Sequence, residues 1–88
     1  MNRGTVNAVE VCVRRIAETA LSQKAVSIII AHNHPDGQPR PSIEDEYLTK
    51  SIFNALVPLG INLQDHIIVG MDIFTSFRDL GLMYKYRN

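Results

Sequence analysis

The topology turns on IIIAHNHPDGQPRPSIED, residues 28–45. This segment leaves an apolar run through two histidines, crosses a loop rich in proline, and ends on an acidic helix start. AVSIIIA (25–31) is a continuous run rich in β-branched residues, which predicts a strand covered on both faces and lying beside a parallel neighbour. Ser42 stands three residues before Asp45, and Tyr47, Leu48, Ile52, Phe53, Leu56, Val57 and Leu59 follow at helical spacing. That pattern predicts a helix of about four turns, with Pro58 in its last turn and Gly60 suited to the C′ position.

Downstream, INLQDHIIVG (61–70) reads as a second buried strand, Met71-Asp72 as a turn, and IFTSF (73–77) as a third strand in a hairpin. Upstream, AVEVCVRRIAETALS (8–22) sets Val9, Cys12, Val13, Ile16, Ala20 and Leu21 near a 3.6-residue period, the mark of an amphipathic helix. The expected order is helix, strand, helix, strand, strand, an α/β class. A βαβ crossover from 26–31 to 62–69 would be right-handed, with the long helix on one face of the sheet and the first helix available for the other. Ligands in such sheets sit at the carboxyl ends of strands, and His32 and His34 fall at that end. The tail RDLGLMYKYRN (78–88) mixes Leu80, Leu82, Met83, Tyr84 and Tyr86 with charges, and suits docking on the domain or on a partner equally.

Bulk composition narrows the function. A chain of 88 residues is one domain, 1–88, and so small a domain buries only about 60–65% of its unfolded surface. A hydrophobic share of 45% against 20% charged residues is that of a soluble globular domain, not of a disordered one. Nine basic residues balance nine acidic ones, so no global positive field invites nucleic acid. No run is long enough to span a bilayer and the N-terminus is not signal-like, which makes the cytoplasm the expected compartment. The single cysteine, Cys12, has no internal disulfide partner and reads as a small buried apolar side chain.

The chemistry is concentrated at the loop. Side chains two residues apart on a strand point the same way at about 6.5–7 Å, so His32 and His34 can converge on one cation. Asp45, from the first turn of the next helix, would make a third ligand and leave a fourth position for water, the open arrangement of a catalytic zinc site. Pro35, Pro39 and Pro41 stiffen the connection and Gly37 permits its turn. Ser42 would point to the same place and could donate to a developing oxyanion. The plainer reading is a capping box, in which Ser42 and Asp45 satisfy each other's amides. Asp65 and His66 admit two roles: a hydrogen-bonded core histidine, and an aspartate that orients a ligand imidazole.

His32-x-His34-Pro35, then Ser42-x-x-Asp45 after seven residues counted from His34, resembles the JAMM signature of the JAB/MPN metalloproteases. More narrowly, AHNHPDGQPRPSIED, LGINLQDHIIVG and SFRDLGLM look like the bacterial RadC-type branch, as does RGTVNAVEV near the start. The resemblance implies a cytidine-deaminase-like, three-layer α/β fold, zinc held by His32, His34 and Asp45, and Ser42 as the catalytic residue that assists peptide or isopeptide hydrolysis. Two departures stand out: Asp36 where the family has serine, and Cys12-Val13-Arg14-Arg15 where it has a His-Pro-Arg-Glu-like segment. The family's general base is a glutamate on an upstream strand. Neither Glu10 nor Glu18 matches that position, and both read as solvated or capping carboxylates on the first helix. The chain is therefore expected to be the C-terminal portion of a RadC-like JAB/MPN domain, lacking the upstream strands, able to bind metal alone and to turn over slowly or not at all.

Three functions compete on this reading: a zinc hydrolase acting on an unknown peptide or protein, a non-catalytic interaction module in DNA repair or recombination, to which the family name refers, and a structural fragment. A sheet lacking its first strands would expose an edge, which predicts a homo-oligomer or a pairing partner there.

Overall fold

A computed structural model describes residues 8–34, 39–83 and 86. Its elements run α1 (Ala8–Ser22), β1 (Ser27–Asn33), α2 (Ile43–Leu56) with a 3₁₀ turn at Val57–Leu59, β2 (Asn62–Val69) and β3 (Phe74–Ser76). This is the helix, strand, helix, strand, strand order of the sequence pattern. β1 and β2 pair in parallel and β3 returns antiparallel to β2, giving a mixed sheet ordered β1-β2-β3.

Each end of α2 has a local cause. Ser42 caps the helix by accepting from the Asp45 amide, while the Asp45 carboxylate accepts from the Ser42 amide at 2.8 Å, so the capping box is complete. At the other end Pro58 tightens the last turn, and Gly60 takes the left-handed conformation at φ 72° that closes it. Along α2, Asp45, Thr49, Ile52, Phe53 and Leu56 form the buried stripe. Tyr47, Val57 and Leu59, expected among the apolar positions, point to solvent because they lie off that stripe. Leu21 of α1 is likewise exposed, and Cys12 is half-buried instead of buried.

The core joins Ala20 of α1, Ile52, Phe53 and Leu56 of α2, Leu63 and Ile68 of β2, and the post-hairpin residues Phe77 and Met83. Here the structure corrects the expected covering of the sheet. β1 alternates, with Ile28 and Ile30 packed against the core and Ile29 turned outward and 58% exposed. Both helices lie on the inner face, since α1 packs against α2 and shares the cluster that contains Ile28 and Ile30. The third layer that the resemblance implies is not formed by the described residues. The tail question is answered in part: Met83 is buried, and Leu82 and Tyr86 pack on the same core, so those residues dock on the domain itself.

The β1–β2 register slips once, between Ile28 and Ile29, so that Ile28 faces Leu63 but Ile29 faces Asp65. Strand side chains alternate between faces, and a single extra residue reverses the alternation downstream. Leu63 points inward before the slip; after it, His66 and Ile68 point inward and Asp65 falls on the outer side.

Candidate metal centre

β1 ends where its backbone still pairs with β2, and the His34 amide donates to the Val69 carbonyl at 3.1 Å. This holds both histidines on fixed backbone. His32 and His34 present their rings side by side, centroids 5.1 Å apart, toward the first turn of α2. Asp45 meets them there. Its Oδ1 lies 3.1 Å from His32 Nε2 and its Oδ2 lies 3.0 Å from His34 Nε2. The three residues each offer one ligand atom within 4.8 Å of the others.

These distances suit a small cation. Ligand atoms at about 2.0–2.1 Å from a tetrahedral zinc stand about 3.3 Å from one another, and the two separations seen here, each to a different Asp45 oxygen, are of that order. Two imidazole nitrogens and a carboxylate oxygen are the donor set that zinc takes in open sites. The metal reading and the capping reading are not rivals here, because one carboxylate is placed for both: it holds the helix start and faces the histidine pair. Asp45 Oδ2 also accepts from the Ser42 hydroxyl at 2.8 Å, which places the expected oxyanion donor directly beside the ligand set.

Electrostatics agree with an ionised aspartate. Burial works to raise the Asp45 pKa, but the hydrogen bonds from the Ser42 amide and hydroxyl and the two imidazoles outweigh it and hold the carboxyl below its usual value. The positive end of α2 adds to the same effect.

Behind the ligands lies a group that sequence reasoning did not assemble. His66 Nε2 is 2.8 Å from His32 Nδ1, and its Nδ1 is 2.5 Å from the Thr49 hydroxyl, which itself donates to the Asp45 carbonyl at 2.6 Å. His66 is fully buried, and the Phe77 ring stacks on it at 4.6 Å. Burial, then the charge of His32, pushes its pKa down to about 4, so the ring is neutral at pH 7. The available signal was Thr49, a polar residue one turn beyond Asp45 on an otherwise apolar stripe.

Asp65 does not orient a ligand imidazole. It accepts from Ser76 Oγ at 2.5 Å, from the Arg78 amide at 2.9 Å and from the amide of His66 at 2.7 Å, so it ties β2 to the segment after β3. The strand slip is the reason, since it turns Asp65 away from His32. Glu18 pairs with Arg14 along α1 as a solvated carboxylate. The expectations on Pro35, Asp36, Gly37, Tyr84 and the RGTV start lie outside the described residues, as do the side chains of Val9 and Glu10. Among the described residues no helix is long and apolar enough to cross a membrane.

A strand–helix–strand unit that brings imidazoles and a carboxylate together at the carboxyl end of its first strand is an α/β domain equipped to hold a metal ion. Comparison with known proteins is more specific: the RadC-like JAB domain profile matches residues 1–82, and the chain belongs to that family. A UPF0758 protein of Symbiobacterium thermophilum is 41% identical over 83 residues, covering 94% of this chain and 36% of that protein. A UPF0758 protein of Neisseria meningitidis serogroup C is 45% identical over 83 residues, 94% of this chain and 37% of the relative. One from Desulforamulus reducens is 44% identical over 80 residues, 91% and 35% respectively. The chain thus spans a little over a third of the length of the curated relatives it matches.

Proposed function

We propose that this chain carries the metal centre of a zinc-dependent hydrolase that cleaves a peptide or isopeptide bond. The observation that carries the reading is the meeting of His32 Nε2, His34 Nε2 and both Asp45 oxygens at 3.0–3.1 Å. Zinc bound there would act as a Lewis acid and lower the pKa of a coordinated water to about 7. The residues do the rest. His32 and His34 hold their rings on paired backbone, and Asp45 supplies the anionic ligand from a capped helix. Ser42 keeps its hydroxyl proton beside the ligands, where it can be redirected to a substrate carbonyl oxygen as negative charge develops. The proton acceptor that the resemblance assigns to an upstream glutamate is not among the groups gathered here by the described residues.

Two experiments in sequence test the reading. Elemental analysis of protein purified without chelator should find close to one zinc per chain, lost in His32→Ala. Protein extended to the full length of the relatives should then cleave members of a peptide and isopeptide panel, with activity abolished by chelation and by Ser42→Ala. A metal-free chain, or a loaded full-length protein that cleaves nothing, would refute the hydrolase.

A second reading, an interaction module serving DNA repair or recombination, draws on the outer sheet face, where Ile29, Val69 and Phe74 are exposed. It expects metal retained without cleavage. The neutral charge balance turns this reading toward a protein partner and away from DNA, and DNA binding that weakens steeply with salt would restore a direct nucleic-acid role.

A further inference from the structure

We propose that Thr49 and His66 are positioning residues that lock His32 in its Nδ1–H tautomer and so aim the Nε2 lone pair at the ligand set. The inference deepens the metal-centre reading and rests on it for its purpose, but its geometry is independent of any ion.

Counting hydrogens along the contacts fixes each donor. A carbonyl oxygen cannot donate, so the 2.6 Å contact between Thr49 Oγ1 and the Asp45 carbonyl uses the only hydrogen the hydroxyl has. Toward His66 the hydroxyl can therefore only accept, and His66 Nδ1, 2.5 Å away, must carry the hydrogen. A neutral imidazole has one N–H, so His66 Nε2 is left with a lone pair. That nitrogen lies 2.8 Å from His32 Nδ1, which must then be the donor. A neutral His32 then has its lone pair on Nε2, the atom that faces Asp45 at 3.1 Å. A lone pair and a carboxylate oxygen this close suit a cation held by both.

The start of this relay is fixed by helix geometry. Thr49 is four residues after Asp45, so its bond to the carbonyl of that ligand is the ordinary back-bond of a helical threonine. Ligand Asp45 and ligand His32 are thereby linked through Thr49 and His66, on the side away from the ion. Metal-bound histidines commonly donate their second N–H to a carboxylate or a backbone carbonyl. Here a second imidazole takes that part, brought to the inner face by the strand slip.

The test reads ring nitrogens directly. In metal-free protein held above neutral pH, ¹⁵N–¹H correlation spectra should show His66 protonated at Nδ1 and His32 protonated at Nδ1. Thr49→Val, which keeps the shape and removes the acceptor, should mix the tautomers of both rings and weaken zinc binding by about 10–100-fold. Thr49→Ser should retain the wild-type ring pattern and affinity. A wild-type spectrum with the hydrogen on His66 Nε2 would overturn the lock without any variant, even if Thr49→Val failed to fold. So would a folded Thr49→Val with unchanged tautomers and unchanged zinc affinity. Failure of the wild type to take up zinc sinks the metal-centre reading instead, and the metal-free ring pattern judges the lock separately.

Discussion

Asparagine at position 45 separates the two duties of one carboxylate. Asp45 accepts from the Ser42 amide and hydroxyl, both at 2.8 Å, and faces the two imidazoles. Asparagine keeps the shape and one acceptor oxygen, which can still take the Ser42 amide. The loss at the helix start should therefore be no more than about 1 kcal/mol, or about 4–8 °C in Tm for a domain of this size. Zinc is a different matter, because a neutral amide is a poor substitute for an anionic ligand. Saturating the wild type at a hundred times its Kd should add about 2.7 kcal/mol, which corresponds to about 10–20 °C. The measurement is thermal unfolding by circular dichroism, once in chelator and once with zinc at that concentration. Asp45→Asn should melt within several degrees of the wild type in chelator and lose nearly all of the zinc increment. If the variant kept the full increment, Asp45 would be a cap and nothing more, and the ligand set would fall to two histidines.

Three further outcomes each rest on a single feature. His66 has a folded-state pKa near 4, pushed down first by burial and then by the charge of His32, against 6.5 when unfolded. The unfolded chain binds the proton first as pH falls, so this contribution is complete above pH 6.5, declines through the interval and is gone below pH 4, a loss of about 3 kcal/mol. Urea unfolding in chelator at pH 7.5 and 4.5 should show a smaller drop in midpoint for His66→Gln than for the wild type, and equal drops would refute the assignment. Gly60 sits at φ 72° with open space where a Cβ would go, so Gly60→Ala should cost about 1 kcal/mol from backbone strain alone, and an unchanged melting temperature would contradict it. β1 forms an edge of the described sheet beside the exposed Ile29, so the chain should dimerise with rising concentration in sedimentation velocity; a monomer at every concentration would remove that expectation.

Most of the element order, and His32, His34, Ser42 and Asp45 at the candidate site, were legible because each is written in short-range chemistry. Ser42 and Asp45 announce a helix start, Gly60 announces its end, and the β-branched run with His32 and His34 at its close announces a strand whose last residues are polar for a reason. The covering of the sheet was not legible. Three consecutive isoleucines at 28–30 look the same whether a strand is buried on both faces or alternates under one layer of helices. Packing decides, and here α1 lies beside α2 on the inner face and leaves Ile29 outside.

The choice between Asp65 and His66 shows why the layer behind the ligands is the hardest part to read. Counting by twos from Leu63 puts Asp65 inward, toward the ligand imidazoles, where a carboxylate would be the ordinary partner for His32. One extra residue in the β1–β2 pairing reverses the count. Nothing local signals that slip, since it is set by how β2 pairs with β1 while Ser76 and the Arg78 amide engage Asp65 from the outer side. Once it occurs, an imidazole stands where a carboxylate was expected, and the chemistry changes with it. A carboxylate would place a second negative charge near Asp45 and accept the His32 hydrogen unaided. A neutral His66 places no charge there, and it can accept only because Thr49 obliges it to donate at its other end. On the proposed relay, the orientation of His32 thus depends on a threonine hydroxyl whose own direction is fixed by the helix that carries Asp45.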